Sequence, residues 1–147
     1  MFKHILIPTD GSPLSHRAIA MGVKLAKTVG ARVTGVFAAP PATPVVYRDH
    51  LPVGYTTPQE HAKMIQASAA RYLGVIEQAA KKAGVRCECV QVTSDFPADV
   101  ILAVAKKKKC DVIVMATHGR RGLRGVLLGS ETQKVLTHST IPVLVCR

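Results

Sequence analysis

Two kinds of apolar pattern alternate along the chain. Short continuous runs occur at 3–8 (KHILIP), 32–38 (RVTGVFA), 111–116 (DVIVMA) and 141–146 (IPVLVC). Such runs predict buried strands. Residues 85–93 (VRCECVQVT) alternate polar and apolar positions at their start, as an edge strand does. Between these segments apolar residues recur at helical spacing. Ser12 and Pro13 mark one helix start, Ala18, Met21, Val23, Leu25, Ala26 and Val29 its apolar positions, and Gly30 its stop. Further helices are predicted at about 59–83, ended by Gly84, from Pro97 to about Lys108, and from about Ser130 to His138. The resulting order, β-α-β-loop-α-β-α-β-α-β, predicts an α/β fold with a parallel sheet and helices on both faces.

Prolines at 40, 41, 44, 52 and 58 make 39–58 the one long loop, a candidate lid. No repeat is present, and residues 1–147 read as a single domain. The last strand, 141–146, is wholly apolar with Pro142 near its start, which suits an edge. An apolar edge needs cover. The same strand of a second copy supplies it in a two-fold homodimer; an interior strand, or one capped by a helix, is the alternative.

Composition narrows the class. A chain of 147 residues, 48% hydrophobic and 20% charged, buries a sizeable core without disulfides. It holds no run of about 18 apolar residues, and its start has no signal-peptide layout, so no membrane span and a cytoplasmic location are expected. The net charge is +11, yet aromatics are 4% and tryptophan is absent. That counts against a stacking surface for single-stranded nucleic acid, and no recognition motif for nucleic acid is present. Lys106–Lys109 read as a solvated helix end favoured by the dipole. Of the four cysteines, Cys87 and Cys89 share one strand face and, like the others, read as small buried residues. Two sulfurs alone fall short of a zinc site.

In an open parallel sheet, ligands bind beyond the carboxyl ends of the strands, where the winding reverses. Two segments take that position: Pro8-Thr9-Asp10-Gly11-Ser12 after strand one, and Ala116 to Thr132 after strand four. Gly119 can expose its backbone N–H. Gly129 and Ser130 stand where the fourth helix begins, with free N–H groups, the positive dipole end and the Ser130 and Thr132 hydroxyls. That is a phosphate site by electrostatics. Arg120, Arg121 and Arg124 add positive charge, and residues 106–134 hold eight basic and two acidic residues. Asp10 suits a ribose hydroxyl. Each feature has a plainer reading as well: Asp10 as a helix cap, the glycines as turns, the arginines as a solvated loop.

Taken together, HILIPTDGS, DVIVMATHGRRGL, LLGSETQKVL and the terminal IPVLVC make the chain resemble the universal stress proteins over essentially its whole length. ATP-binding members carry G-x2-G-x9-G-[ST]. The second glycine matches Gly119, the spacer is 120–128, and the final pair is Gly129-Ser130; Ala116 stands in place of the first glycine. The resemblance implies a five-stranded sheet in order 3-2-1-4-5 and dimers paired through the last strands. It implies adenine and ribose contacts at Thr9, Asp10 and the backbone near Ala38, and phosphate contacts at Gly119, Gly129, Ser130, Glu131 and Thr132. Pro8, Met115, Ala116, His118 and Arg120 complete the nucleotide-binding set, with Mg²⁺ carried by the phosphates. The side chains of Met21, Met64 and Met115 read as packing.

Turnover needs a positioned base or metal-binding carboxylates. Near the site stand only Asp10 and Glu131, and His118 has no acid partner in view. His4, His16, His50, His61 and His138 show no ligand spacing. The expectation is therefore an ATP-binding stress-response module. A slow ATPase or nucleotidyl transferase, or a member that binds no ATP and acts through protein contacts, are the alternatives.

Overall fold

The structure, a computed structural model, describes residues 1–42, 56–118 and 127–147. Its elements are β1 (His4–Pro8), α1 (Pro13–Val29), β2 (Arg32–Ala39), α2 (Pro58–Ala83), β3 (Cys87–Thr93), α3 (Pro97–Lys107), β4 (Val112–Ala116), α4 (Ser130–His138) and β5 (Val143–Cys146). The strands form one parallel sheet in order β3-β2-β1-β4-β5, as the resemblance implies.

Local chemistry sets most boundaries. Ser12 caps α1 by accepting from Ser15 N–H at 3.2 Å, and Gly30 ends the helix at φ 71°. Thr57 and Glu60 form a reciprocal capping box at the start of α2, with bonds of 2.9 and 3.1 Å. Pro58 therefore belongs to the helix rather than to the loop, because its missing N–H is unneeded in the first turn. Ala39 likewise belongs to β2, so the predicted loop 39–58 is shorter at both ends; its residues 43–55 lie outside the described residues. β5 begins at Val143 rather than at 141. Pro142 has no N–H to donate, and its carbonyl instead accepts from Ile113 N–H at 3.0 Å.

The strand parity divides the core in two. Ile5, Ile7, Val33, Val112 and Val114 pack beneath α1 and α2. Leu6, Val36, Ile113 and Met115 pack on the opposite face beneath α3, with Val135 of α4. Near-continuous apolar strands thus serve both faces, as expected of a sheet covered on both sides. β3 and β5 form the edges. Cys87 and Cys89 lie on the α2 face but are half-buried, not buried, because β3 has no outer neighbour.

Candidate functional site

β1 and β4 pair only through Ile5 with Val112 and Leu6 with Ile113. Beyond that point each strand turns to its other neighbour. Thr9 N–H donates to Val36 of β2, and Thr117 N–H donates to Cys146 of β5, each at 2.9 Å. The sheet divides at its carboxyl end, between 8–10 and 116–118, which is the winding-reversal point of this strand order.

A dense hydrogen-bonded turn forms one wall. Thr9 is buried; its hydroxyl lies 3.2 Å from Ser15 Oγ and accepts from Gly11 N–H at 3.2 Å. Asp10 Oδ1 accepts from Ser12 N–H at 2.9 Å, so this carboxylate shapes the turn that delivers α1. Gly11 has φ 77° and lies against the ring of Tyr72, which α2 holds edge-on to Phe37 at 5.3 Å between centroids. Only glycine combines that backbone with that approach. Pro8 ends β1, and Ala38, half-buried near the end of β2, packs towards the α3 side.

The facing wall comes from β4 and α4. Ala116 and His118 are half-buried and Thr117 is buried. Gly129 N–H donates to Thr117 O at 2.7 Å. A Cβ on Gly129 would come within 2.9 Å of His118 Cβ and 3.1 Å of its Cα, so the start of α4 fits against 117–118 only as glycine. Gln133 N–H, bonded to Gly129 O at 3.0 Å, joins the helix ladder, and no side chain caps the turn before it. The N–H groups of Ser130, Glu131 and Thr132 lie in that uncapped turn, with exposed Ser130 at its head. Such a terminus favours an anion.

The structure brings Pro8, Thr9, Asp10, Ala38, Ala116, His118, Gly129 and Ser130 to this carboxyl end. Met115 reaches it with its backbone alone, because its side chain is 5% exposed in the α3 core. Two predicted contacts have structural employment. The Thr132 hydroxyl donates to Ala116 O at 3.0 Å, and Glu131 Oε2 accepts from Ala98 N–H at 2.9 Å while Oε1 meets Lys134 at 3.1 Å. Gly119, Arg120, Arg121 and Arg124 lie outside the described residues. His118 Nδ1 is buried without a hydrogen-bond partner among the described residues. Sequence reasoning did not find Ser15, Tyr72 or the Glu131–Ala98 contact, which joins residues 33 positions apart. No three His, Cys, Asp or Glu among the described residues gather to hold a metal ion. No described helix is long and apolar enough to cross a membrane.

A family model described as "Universal stress protein family" matches residues 1–147. A universal stress protein of Thermus aquaticus is 33% identical over 147 residues, covering all of both chains. Among solved structures, the universal stress protein UspA from Lactobacillus plantarum superposes with a TM-score of 0.77 at 22% identity, covering 99% of this chain and 98% of that one. A universal stress protein from Archaeoglobus fulgidus, solved in complex with dAMP, gives a TM-score of 0.62 at 18% identity, covering 100% and 98%.

Proposed function

The chain belongs to the universal stress protein family, and from that premise we propose that it is a cytoplasmic, homodimeric module that binds ATP at the divide between β1 and β4 in response to stress. The observation that carries this reading is the uncapped first turn of α4, set by Gly129 directly against Thr117 and His118. Its N–H groups would hold phosphate, and the Thr9–Asp10 wall would receive the ribose and base. The Archaeoglobus fulgidus relative solved with dAMP supports an adenine nucleotide as the ligand class. Mg²⁺ would be carried by the nucleotide phosphates. The groups present suit binding and orientation, and turnover is expected to be weak at most.

The dimer reading rests on β5. It is a sheet edge on which Leu144 is 41% exposed. A second copy pairing along β5 would cover it.

Calorimetry with Mg-ATP tests the reading. Micromolar binding, about −8 kcal/mol, is expected for the parent chain and is expected to disappear in Gly129→Val with the circular dichroism spectrum retained. A parent chain that gives no heat and carries no nucleotide through purification would contradict it. A second reading, a member acting through protein contacts without nucleotide, is favoured by Ala116 where ATP-binding members carry glycine, and that null result would select it.

A further inference from the structure

At the end of the sheet opposite the divide, a second opening lies where β1, β2 and β3 begin and α1 and α2 stop. It is a cleft of about 440 Å³, a size that suits a small molecule. Lys3, Lys27, Arg32 and Arg86 line it, and among the described residues no carboxylate and no aromatic side chain does. Gly30 and Gly84, the left-handed C-caps of α1 and α2, line it too, and a Cβ at either would meet nothing within 4 Å.

Three of the four cations form a row. Lys3 O accepts from Arg32 N–H at 3.0 Å, and Arg86 O accepts from Val33 N–H at 2.8 Å. Residues 3, 32 and 86 therefore stand side by side at the heads of adjacent strands, their backbones about 4.8 Å from one to the next. Like charges so placed repel, and they lie within one Debye length, about 8 Å at physiological salt. The row costs stability rather than adding it. The dipole of α1 accounts for Lys27 in its last turn, but Lys3, Arg32 and Arg86 belong to no helix. The two helix C-termini bring only about half a negative charge each, against four whole positive ones. Neighbouring carboxylates are engaged elsewhere. Asp111 accepts from the N–H groups of Lys3 and His4 at 2.8 and 3.2 Å, and Glu88 pairs with Lys108 at 2.9 Å. Among the described residues the four lining cations have no ion-pair partner.

We propose that this cleft is a binding site for a small, metal-free polyphosphate anion. Adjoining phosphates carry several negative charges over a short length, which matches a row of cations where a single phosphate does not. The guanidinium groups of Arg32 and Arg86 can each meet two phosphate oxygens, and Lys3 and Lys27 act as point charges. With no aromatic side chain in the lining, nothing there selects a nucleobase. Mg²⁺ takes the same oxygens and cancels two charges, so Mg-ATP, the ligand proposed for the divide, is disfavoured at this end.

An amide NMR titration with sodium tripolyphosphate in EDTA reads this end separately from the divide, so the two readings stand or fall apart. Saturable shifts are expected at Lys3, Lys27, Gly30, Arg32, Gly84 and Arg86. Binding there is expected to be at least about tenfold tighter than for inorganic phosphate, and at least about tenfold weaker once Mg²⁺ is in excess. Arg32→Ala combined with Arg86→Ala is expected to cost at least about tenfold, while Lys106→Ala combined with Lys107→Ala, equal in charge but outside the cleft, costs less than about twofold. Shifts confined to Ser130–Thr132, no shift at millimolar tripolyphosphate, or equal losses in the two double variants would overturn the proposal. So would tighter binding of an oligothymidylate, or of vesicles carrying a phosphoinositide, at the same amides, which would assign the cleft to nucleic acid or to a lipid headgroup.

Discussion

His4 lies at the start of β1, 3% exposed, with Nε2 2.7 Å from Thr34 Oγ1, and the Thr34 hydroxyl donates to Glu88 at 3.2 Å. Nδ1 is buried with no partner among the described residues. A neutral ring donating through Nε2 satisfies this chain, whereas protonation would bury a charge on the ring. Burial first, then the charge of Arg32, hold the ring below the usual histidine range; Glu88, Asp111 and the Lys108 backbone pull the other way. Because the folded value is the lower one, the contribution is present above the unfolded value, about pH 6.5, and is lost as pH falls through the folded value. Urea unfolding is expected to show stability declining from about pH 7 to about pH 5, and a flatter decline in His4→Asn. Equal slopes would contradict the assignment. Gly35 makes a second prediction at this scale. Gly35→Ala would place a Cβ 2.8 Å from both Cys89 Sγ and Ile76 Cδ1, and is expected to lower stability by about 1–3 kcal/mol in the same assay. Neither effect is legible along the chain, since both depend on which strand or helix lies opposite.

Most element ends were readable because their chemistry is local. The Ser12 cap, the glycines at 30 and 84 and the proline at 97 each act within one turn. The start of α3 is different. Its N-cap, Phe96, offers no side-chain bond, and Glu131 from the first turn of α4 accepts from Ala98 N–H instead. That carboxylate also meets Lys134, a half-exposed pair of small worth. Glu131→Ala is expected to lower stability by about 1 kcal/mol and speed hydrogen exchange at the Ala98 amide, while Glu131→Gln, which keeps an acceptor, is expected to restore most of both. A sequence places an acid at 131 but does not say which helix it caps. Strand ends show the same limit: β3 and β5 begin later than their apolar runs because pairing, not composition, defines a strand. The β5 edge carries a further prediction. Leu144→Lys is expected to give monomers in light scattering, with the fold retained; a persistent dimer would place the interface elsewhere.

At the scale of the whole molecule, every strand runs the same way, so every helix directs its N-terminus to the carboxyl end of the sheet. The opposite end collects cations at helix C-termini: Lys27 of α1, Lys81 and Lys82 of α2, Lys106 and Lys107 of α3. These answer the helix dipoles and account for part of the net charge of +11 without a nucleic-acid partner. The sheet order and the place of the divide followed from alternating elements and the family resemblance. The detail of the divide did not, because each wall is built from contacts between separate segments, Thr9 with Val36, Gly11 with Tyr72, Gly129 with Thr117 and Thr132 with Ala116. The proposed function requires nucleotide to sit at that divide. A backbone amide NMR titration of the parent chain with Mg-ATP measures this directly. Shifts concentrated at Thr9–Gly11 and Ser130–Thr132, with little change at Arg32 and Arg86 on the opposite end, are the predicted result. Shifts gathered away from the divide, or none at millimolar ATP, would contradict it.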